Sequence, residues 1–338
     1  MSARVLSLEE GISESVRILR DGGIVGLPTE TVYGLAADAF QALAVARIFE
    51  AKGRPLSDPL IVHLPEAGWL DRVVGSLSPA LTELVHKLAS DFWPGPLTLL
   101  LPKHPDLPDL VTAGSDLVAV RVSSHPLFQE VQLRLGSPIA APSANRFGSI
   151  SPTTAQDVRI ELGDRIDLIL DGGPCKHGME STIVALQENC LKVLRPGPIT
   201  NDQLKKYGHV VFFGHALASP GSLPGHYAPK KELQIINTDI KERFFDPLGG
   251  YLAFSAPPKN IADGFASIEV LSRNGDLCEA AANFYTALRR LDQSKAVILY
   301  AEPVPEEGIG VAIMDRLRRA EYGSLFGTGH HQPLASKK

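Results

Sequence analysis

The sequence predicts an α/β protein with a mixed-sheet domain over residues 1–200, a linker over 201–230 and a smaller Rossmann-like domain over 231–338. Short apolar runs bounded by glycine or proline alternate with helical patterns in the first part. The stretch Ser219–Pro229 holds three prolines and two glycines, which excludes helix and central strand and indicates a stiff linker. Beyond it, strand and helix patterns alternate, as expected for a small parallel sheet.

The elements of the first domain follow from periodicity and flanking residues. Glycines bound the apolar run Ile24–Leu27, and Pro28 removes the next ladder donor, so a buried strand ends there. Pro79 follows Ser78 at the start of the helical pattern Pro79–Phe92. The other predicted helices are Ser13–Arg20, Ala42–Ala51, Leu127–Leu135 and Ala155–Leu162. The other predicted strands are Leu60–Val62, Leu97–Leu101, Leu117–Val122, Ile139–Ala141, Leu168–Leu170, Thr182–Leu186 and Leu191–Leu194.

The linker and the second domain have fewer elements. A short helix, Asp202–Lys206, and a strand, Val210–Phe213, precede the stretch rich in proline and glycine. The predicted strands of the second domain are Leu233–Ile236, Tyr251–Phe254, Ile268–Leu271 and Ala296–Leu299, and its predicted helices are Leu277–Leu291 and Ala312–Arg319.

Composition narrows the class of protein. The 338 residues are 44% hydrophobic and 21% charged, which is typical of a globular protein. A net charge of −5 argues against broad electrostatic binding to nucleic acid or to an acidic membrane. The three cysteines lack metal-ligand spacing, and neither a signal peptide nor a run of ~18 apolar residues is present. We therefore expect a cytoplasmic protein without a membrane partner or a resident metal.

Polar residues cluster where apolar strands end. Thr29, Glu30 and Thr31 follow the first strand, and hydroxyl-rich turns at strand ends often contact ligands in α/β proteins. Lys52 and Arg54 follow the helix Ala42–Ala51. They are either solvated cations at the C-terminus of that helix or a phosphate-binding pair, in which the Lys52 ammonium is a point charge and the Arg54 guanidinium a planar fork of donors.

Other polar residues at strand ends have structural alternatives as well. His63 can be a satisfied structural histidine, while the Ser143 turn and Ser151 can be caps. An arginine at the end of an apolar strand needs an anionic partner if it points inward. Because Arg121 and Arg195 occupy such positions, and Lys52 and Arg54 lie between a helix and an apolar strand of the same acidic chain, we expect one cavity for a polyanionic small ligand. Neither a Walker A loop nor a GxGxxG fingerprint is present.

A series of motifs resembles a known family. LPTETVYGLAADA, FWPGPLT, VAVRV, APSANRFGSISPT, GMESTIV and LRPGPI resemble the YrdC domain over residues ~12–200, and the sequence after HYAP is similar to the Sua5 domain. The paired KxR and SxN signatures of that family are present as Lys52/Arg54 and Ser143/Asn145. The chain thus resembles the long, Sua5-type branch of the Sua5/YrdC/YwlC family, which implies a YrdC-like domain followed by a Sua5 domain.

The resemblance implies a nucleotidyltransferase, an L-threonylcarbamoyladenylate synthase. Such an enzyme condenses L-threonine, bicarbonate or CO2, and ATP to threonylcarbamoyl-AMP and releases pyrophosphate. ATP is then a substrate, with Mg²⁺ expected to accompany it, and no tightly bound cofactor is expected. The product passes to a tRNA threonylcarbamoyltransferase that forms N6-threonylcarbamoyladenosine (t6A), so any contact with tRNA is expected to be indirect or weak.

The resemblance also implies roles for individual residues. The residues implied to bind L-threonine are Thr31, His63, Arg121, Ala141 and Ser181. The residues implied to bind ATP are Lys52, Arg54, Asp58, Leu117, Ser143, Ser151, Arg195 and Tyr227. The residues implied to be catalytic are Lys52, Arg54, Ser143 and Asn145. Two positions depart from the family: Asp58 replaces a common asparagine, and Leu117 replaces a frequent threonine, which would limit Leu117 to a main-chain contact.

Two further expectations concern the linker and an alternative function. We expect His226 and Tyr227 to cover the nucleotide as a lid, so deletion of residues 219–338 should reduce activity. An RNA-binding module that uses the same cationic concavity is the alternative. The net charge of −5 and the lack of interleaved aromatic and basic residues disfavour it.

Overall fold

The computed structural model describes residues 3–187, 190–212, 225–236 and 246–327. Part of the predicted linker, residues 213–224, lies outside the described residues, and so does Phe213 at the end of a predicted strand. Residues 237–245 and 328–338, which the prediction assigns to the second domain, lie outside them as well.

The first domain alternates strands and helices in an irregular order. Its helices are α1 (Leu8–Arg20), α2 (Ala42–Lys52), α3 (Pro79–Phe92), α4 (Pro126–Leu135), α5 (Ala155–Leu162) and α6 (Asn201–Leu204). Its strands are β1 (Arg4–Ser7), β2 (Val25–Leu27), β3 (Gly34–Asp38), β4 (Ile61–His63), β5 (Leu97–Pro102), β6 (Leu117–Arg121), β7 (Ile139–Ala140), β8 (Leu168–Asp171), β9 (Thr182–Gln187), β10 (Cys190–Arg195) and β11 (His209–Phe212). Short 3₁₀ helices cover Ala67–Arg72, Asp109–Thr112 and Lys205–Tyr207.

These strands form one mixed sheet, in the order β1-β8-β2-β3-β7-β4-β6-β5-β9-β10-β11. Strand β4 runs parallel to β6, whereas β3 and β7 run antiparallel to each other and β5 runs antiparallel to β6. The mixed α/β class predicted for the first domain is therefore confirmed.

The second domain is a small parallel α/β unit. Its strands are β12 (Glu232–Ile235), β13 (Asp246–Ala253), β14 (Phe265–Val270) and β15 (Ile298–Ala301), and its helices are α7 (Lys259–Ala262), α8 (Leu277–Gln293) and α9 (Gly310–Phe326). The sheet order is β12-β15-β13-β14, and each of its pairings is parallel. The predicted Rossmann-like arrangement is confirmed. None of the described helices is both long and apolar enough to cross a bilayer.

The main errors of the sequence prediction lie near the N-terminus. The predicted turn ending at Gly34 continues into β3, which pairs antiparallel with β2. The GLAAD sequence of β3 is fully buried but lacks the β-branched residues that mark strands, so its burial in the sheet decides its conformation. Strand β1, also unpredicted, pairs with β8, and α1 begins five residues before the predicted start at Ser13.

The sheet brings the polar strand ends together. His63 and Arg121 are register partners at the ends of the parallel strands β4 and β6. Gly34, at the start of β3, forms a bridge with Ser143. Because the ends of adjacent strands meet at one edge of a sheet, these residues surround one concave region.

The two domains pack closely against each other. Gly178, with a φ of +61°, approaches α8 so closely that a Cβ atom would lie 2.3 Å from the carbonyl oxygen of Ala282. A side chain at this position would therefore separate the domains. Val32, Ile150 and Met179 of the first domain belong to the same hydrophobic cluster as the core of the second domain. Helices α8 and α9 thus lie against the first domain beside the cavity described next.

Candidate functional site

A cleft with about 550 Å³ of empty space lies at this strand edge. Polar and charged residues from separate parts of the chain line it together with a few apolar ones, as in many ligand sites. The lining residues are Thr29, Thr31, Val32, Gly34, Arg54, Ile61, His63, Arg121, Ala141, Pro142, Ser143, Glu180, Ser181, Arg195, His226 and Tyr227. Each residue expected to bind threonine is among them.

Arg121 is fixed on one side and open on another. Its Nη2 atom lies 2.7 Å from Oε1 of Glu30, and its Nη1 atom donates to Oγ1 of Thr31 at 3.1 Å. Burial would raise the pKa of Glu30, but the charge of Arg121 and a hydrogen bond from Ser123 hold it below its ordinary value. Nε of Arg121 is buried and has no hydrogen-bond partner among the described residues. A buried charged donor without a partner is costly, so Nε is suited to an anionic ligand.

His63 lies beside Arg121 and is electrically neutral. Burial, and then the charge of Arg121, lower the pKa of His63 well below its ordinary value. Its ring packs against Phe128 with the centroids 4.9 Å apart, and Nδ1 has no hydrogen-bond partner among the described residues. A neutral imidazole with an unfilled nitrogen can orient a polar ligand without repelling an ammonium group.

Lys52 holds the Ser143–Asn145 turn from behind the cleft. Its Nζ atom donates to the main-chain oxygens of Ser143 at 2.6 Å and Asn145 at 2.5 Å. Burial, and then the charge of Arg54, lower the pKa of Lys52 well below its ordinary value. The KxR and SxN signatures are therefore in contact, but Lys52 is not among the residues that line the cleft.

Arg54 forms the next wall of the cleft with Asp58. The Nη2 atom of Arg54 lies 2.9 Å from Oδ1 of Asp58 and donates to the carbonyl oxygen of Pro59 at 2.7 Å. The other carboxylate oxygen of Asp58 lies 3.5 Å from Nε2 of His226. Asp58 therefore lies behind Arg54 and beneath the linker histidine, and its departure from the family asparagine adds an acid next to both.

Ser181 and Arg195 form a third wall. Arg195 donates through Nε to the carbonyl oxygen of Ser181 at 3.0 Å and through Nη2 to Oγ of Ser181 at 2.9 Å. The hydroxyls of Ser181 and Thr98 lie 2.7 Å apart. Arg195 therefore fixes the serine side chain that faces the cleft.

The linker residues His226 and Tyr227 form a further wall of the cleft. Tyr227 has a φ of +68°, an uncommon and strained conformation for a bulky residue. The next residue, Ala228, donates its main-chain N–H to Gly148 at 2.8 Å. The space inside the cleft that water can occupy is about 50 Å³, enough for a few water molecules at ~10–15 Å³ each. His226 and Tyr227 both line the cleft, so a ligand bound there would contact them.

Several of the residues implied by the family resemblance lie outside the lining. Ser151 donates to Oε1 of the lining residue Glu180 at 2.6 Å, and Nδ2 of Asn145 donates to the main-chain oxygen of Ser149 at 2.8 Å. Leu117 is 38% exposed at the opposite end of β6 from Arg121, ~13 Å away at ~3.3 Å per residue. The structure thus does not bring Leu117 to the cleft, whereas Lys52, Asp58 and Ser151 each contact a lining residue and Asn145 lies in the Ser143 turn.

Two acids near the cleft were not predicted as site residues. Glu30 lies behind Arg121, and Glu180 lines the cleft beside Ser181. Both occur within motifs that the sequence singled out, PTET and GMEST. In each motif a glutamate precedes a serine or threonine that is expected to bind the substrate. A glutamate in that position, in a site otherwise rich in cations, is the sequence signal that could have identified both acids.

The cations of the cleft are not presented to solvent. Arg54, Arg121 and Arg195 are each less than 8% exposed, so they do not form an exposed basic groove for RNA. Within the described ranges, no group of three or more His, Cys, Asp or Glu side chains could hold a metal ion.

Two family descriptions match the chain. Residues 17–197 match the Sua5, YciO and YrdC family, described as "Telomere recombination". Residues 199–321 match a family described as "Threonylcarbamoyl-AMP synthase, C-terminal domain".

Relatives and solved structures agree with this match over nearly the whole length. The chain is 39% identical to a threonylcarbamoyl-AMP synthase of Bacillus subtilis, over 93% of this chain and 94% of the relative. It is 33% identical to a threonylcarbamoyl-AMP synthase of Schizosaccharomyces pombe, over 94% and 90% respectively. The crystal structure of P. abyssi Sua5 complexed with L-threonine superposes with a TM-score of 0.84 at 34% identity, covering 95% of this chain and 98% of that one.

Proposed function

The chain belongs to the Sua5/YrdC family, and from that premise we propose that it is a threonylcarbamoyl-AMP synthase. It condenses L-threonine, CO2 or bicarbonate, and ATP, and releases pyrophosphate, which makes it a nucleotidyltransferase. The product serves the formation of N6-threonylcarbamoyladenosine in tRNA through a separate transferase. The observation that carries the proposal is the single cleft in which three buried arginines and the signature turns converge.

We assign Thr31, His63 and Arg121 to the threonine side of the cleft. The open Nε of Arg121 supports a contact with the substrate carboxylate, since a guanidinium fork matches two carboxylate oxygens. Neutral His63 lies where the substrate's amine or hydroxyl can meet its unfilled nitrogen. Ala141 and Ser181 complete the contacts proposed for threonine.

We assign Ser151, Glu180, Arg195 and Tyr227 to the nucleotide side of the cleft. Arg54, Ser143 and Arg195 provide donors for the phosphates. Lys52 and Asn145 act by fixing the Ser143 turn, and Asp58 by holding Arg54. The proposal does not rest on Leu117. Mg²⁺ enters with ATP as part of that substrate.

The reaction explains the lack of a side-chain nucleophile in this proposal. The threonine amine attacks CO2 and loses one proton, which forms the N–C bond of a carbamate. A carbamate oxygen then attacks the α-phosphorus of ATP while the bond to the leaving pyrophosphate breaks. Alignment of bound reactants can lower a barrier by ~7–11 kcal/mol, and fixed cations stabilise the charge on the phosphates. The cleft therefore accelerates the reaction by aligning the bound reactants and by stabilising the negative charge on the phosphates.

The linker residues give this site a cover. His226 and Tyr227 line the cleft, so they lie where bound substrates would contact them. We propose that they swing away for entry and return over the bound nucleotide, so that water is excluded during the reaction.

Pyrophosphate release tests the function. The purified full chain should release pyrophosphate only when ATP, L-threonine and bicarbonate are all present, and it should need no RNA. Allothreonine and valine serve as controls for recognition of the side chain. Release that proceeds without threonine, or that requires RNA, would contradict the proposal.

A further inference from the structure

Glu180 is a buried carboxylate at a place where the proposed reaction needs positive charge. It is 5% exposed, lines the cleft, and accepts a hydrogen bond from Ser151. An uncompensated carboxylate there would repel the phosphates of ATP, because charges interact strongly in a poorly hydrated site. Something must therefore offset its charge before a nucleotide can bind.

Two side chains of the second domain contact the Glu180 carboxylate. Nε of Arg316 on α9 lies 2.9 Å from Oε2 of Glu180. The hydroxyl of Tyr285 on α8 lies 2.8 Å from Oε2 and 3.0 Å from Oε1. Ser151 of the first domain donates to Oε1 at 2.6 Å. Both carboxylate oxygens are thus held, and the charge of Glu180 is paired away from the cleft.

The charge state of Glu180 follows from these contacts. Burial alone would raise the pKa of Glu180, but the charges of Arg316 and then Arg195, with the Ser151 hydrogen bond, hold it below its ordinary value. Glu180 is therefore ionised, and it needs a cation rather than a neutral donor.

Arg316 also reaches the linker. Its guanidinium carbon lies 5.1 Å from the ring centroid of Tyr227, and its Nη2 atom donates to the carbonyl oxygen of Pro196 at 2.9 Å. The rings of Tyr227 and Tyr285 lie 5.8 Å apart. The same side chain therefore contacts the acid of the nucleotide side and the cover over it.

We propose that Arg316 and Tyr285 are positioning residues through which the second domain makes the cleft competent for ATP. Arg316 offsets the charge of Glu180, and both residues fix the Glu180 carboxylate that accepts the hydrogen bond from Ser151. Neither residue lines the cleft, so both act through Glu180. This inference rests on the proposed function.

The same domain interface offers a matched control in Arg289 of α8. Like Arg316, it is a buried arginine that pairs with first-domain acids: its Nη1 lies 2.9 Å from Glu161 and its Nε lies 3.2 Å from Asp157. Neither acid lines the cleft. Loss of Arg289 should weaken domain packing without placing an uncompensated charge at the nucleotide.

The experiment compares Arg316→Met, Arg316→Lys, Arg289→Met and the double variant Glu180→Gln/Arg316→Met. The affinities for ATP and for threonine are measured by calorimetry, and pyrophosphate release is measured with the concentration of each of these substrates varied in turn. Thermal unfolding of each variant is measured as well. Arg316→Met should weaken ATP binding about 10- to 100-fold and threonine binding by less than about threefold. Arg316→Lys, which keeps the charge, and the double variant, which removes both charges, should each return ATP binding to within about fivefold of the wild type. Arg289→Met should lower the unfolding temperature and leave the ratio of the two affinities unchanged.

The outcomes distinguish an offset of the Glu180 charge by Arg316 from a general contribution of Arg316 to domain packing. Equal losses of ATP and threonine binding in Arg316→Met, or a folded double variant that still binds ATP more than tenfold more weakly, would overturn the inference. If Arg316→Met does not fold, the double variant and Arg316→Lys still decide. A wild type that binds ATP but releases no pyrophosphate with threonine and bicarbonate would instead contradict the proposed function.

Discussion

Around Arg121, the partners Glu30 and Thr31 both belong to the first domain, whereas Glu180 takes hydrogen bonds from Tyr285 and Arg316 of the second. The two sides of one cleft thus depend on different parts of the chain. The threonine side is assembled by strands of a single sheet, so its geometry is set as soon as that sheet forms. The nucleotide side is completed only when α8 and α9 pack against it.

This difference gives the second domain a physical role. A domain that only added stability would affect both substrates alike, because unfolding removes every contact at once. A domain that offsets one acid in the cleft affects the substrate nearest to that acid. Variants on the two sides of the cleft should therefore affect the two substrates differently.

Replacing Arg121 by Met should affect the threonine side most strongly. Loss of a charge-assisted fork costs ~3 kcal/mol, which corresponds to about a 100-fold rise in the KM for threonine. The KM for ATP should change by less than about threefold. Steady-state pyrophosphate release with each substrate varied in turn measures both values.

Arg121→Met leaves Glu30 buried without its cationic partner, so a control is needed for the effect of that unpaired charge. The double variant Glu30→Gln/Arg121→Met removes that buried charge, so it should recover stability but not threonine affinity. Recovery of threonine affinity in the double variant would mean that Arg121 does not bind the substrate.

Replacing Lys52 by Met should affect the nucleotide side of the cleft through a contact made entirely within the first domain. It leaves the main-chain oxygens of Ser143 and Asn145 without their donor, so the turn that presents Ser143 should loosen. We expect about a tenfold rise in the KM for ATP and a smaller change for threonine, measured by the same assay. Lys87→Met is the control, since Lys87 pairs with Glu83 on the surface, where such pairs contribute little. A larger effect on threonine than on ATP would contradict the assignment.

His63 should make the stability of the protein depend on pH. Its pKa is lowered in the folded state, so between that pKa and ~6.5 the unfolded chain binds the extra proton and stability falls as the pH falls. From pH 7.0 to pH 5.5 this group should cost ~1 kcal/mol of unfolding free energy. His63→Gln should lose that part of the decline, as measured by urea unfolding at both pH values. An unchanged decline would mean that His63 takes up a proton in the folded state.

Many helix and strand bounds could be predicted from the sequence, because capping residues, prolines and hydrophobic periodicity determine them locally. The bounds of α3 and α5 are those predicted, since Pro79 and Ser78 begin one helix and a threonine cap begins the other. The strand β3 was missed because glycine and alanine carry no strand signal and only burial in the sheet selects it.

The site divides in a similar way. The sequence predicted the three arginines of the cleft, because cations next to apolar segments need anionic partners when they point inward. It did not predict that Lys52 holds a turn, nor that Arg316 meets Glu180 across 136 positions of the chain. Such contacts depend on how domains pack, and no local pattern encodes them.

A crystal structure with L-threonine and a non-hydrolysable ATP analogue tests the central claim most directly. The threonine carboxylate should lie within hydrogen-bond distance of Arg121 Nε, the phosphates should contact Arg54 and Arg195, and Glu180 should stay paired with Arg316. Threonine bound away from Arg121, or a seated nucleotide with Arg316 released from Glu180, would contradict it.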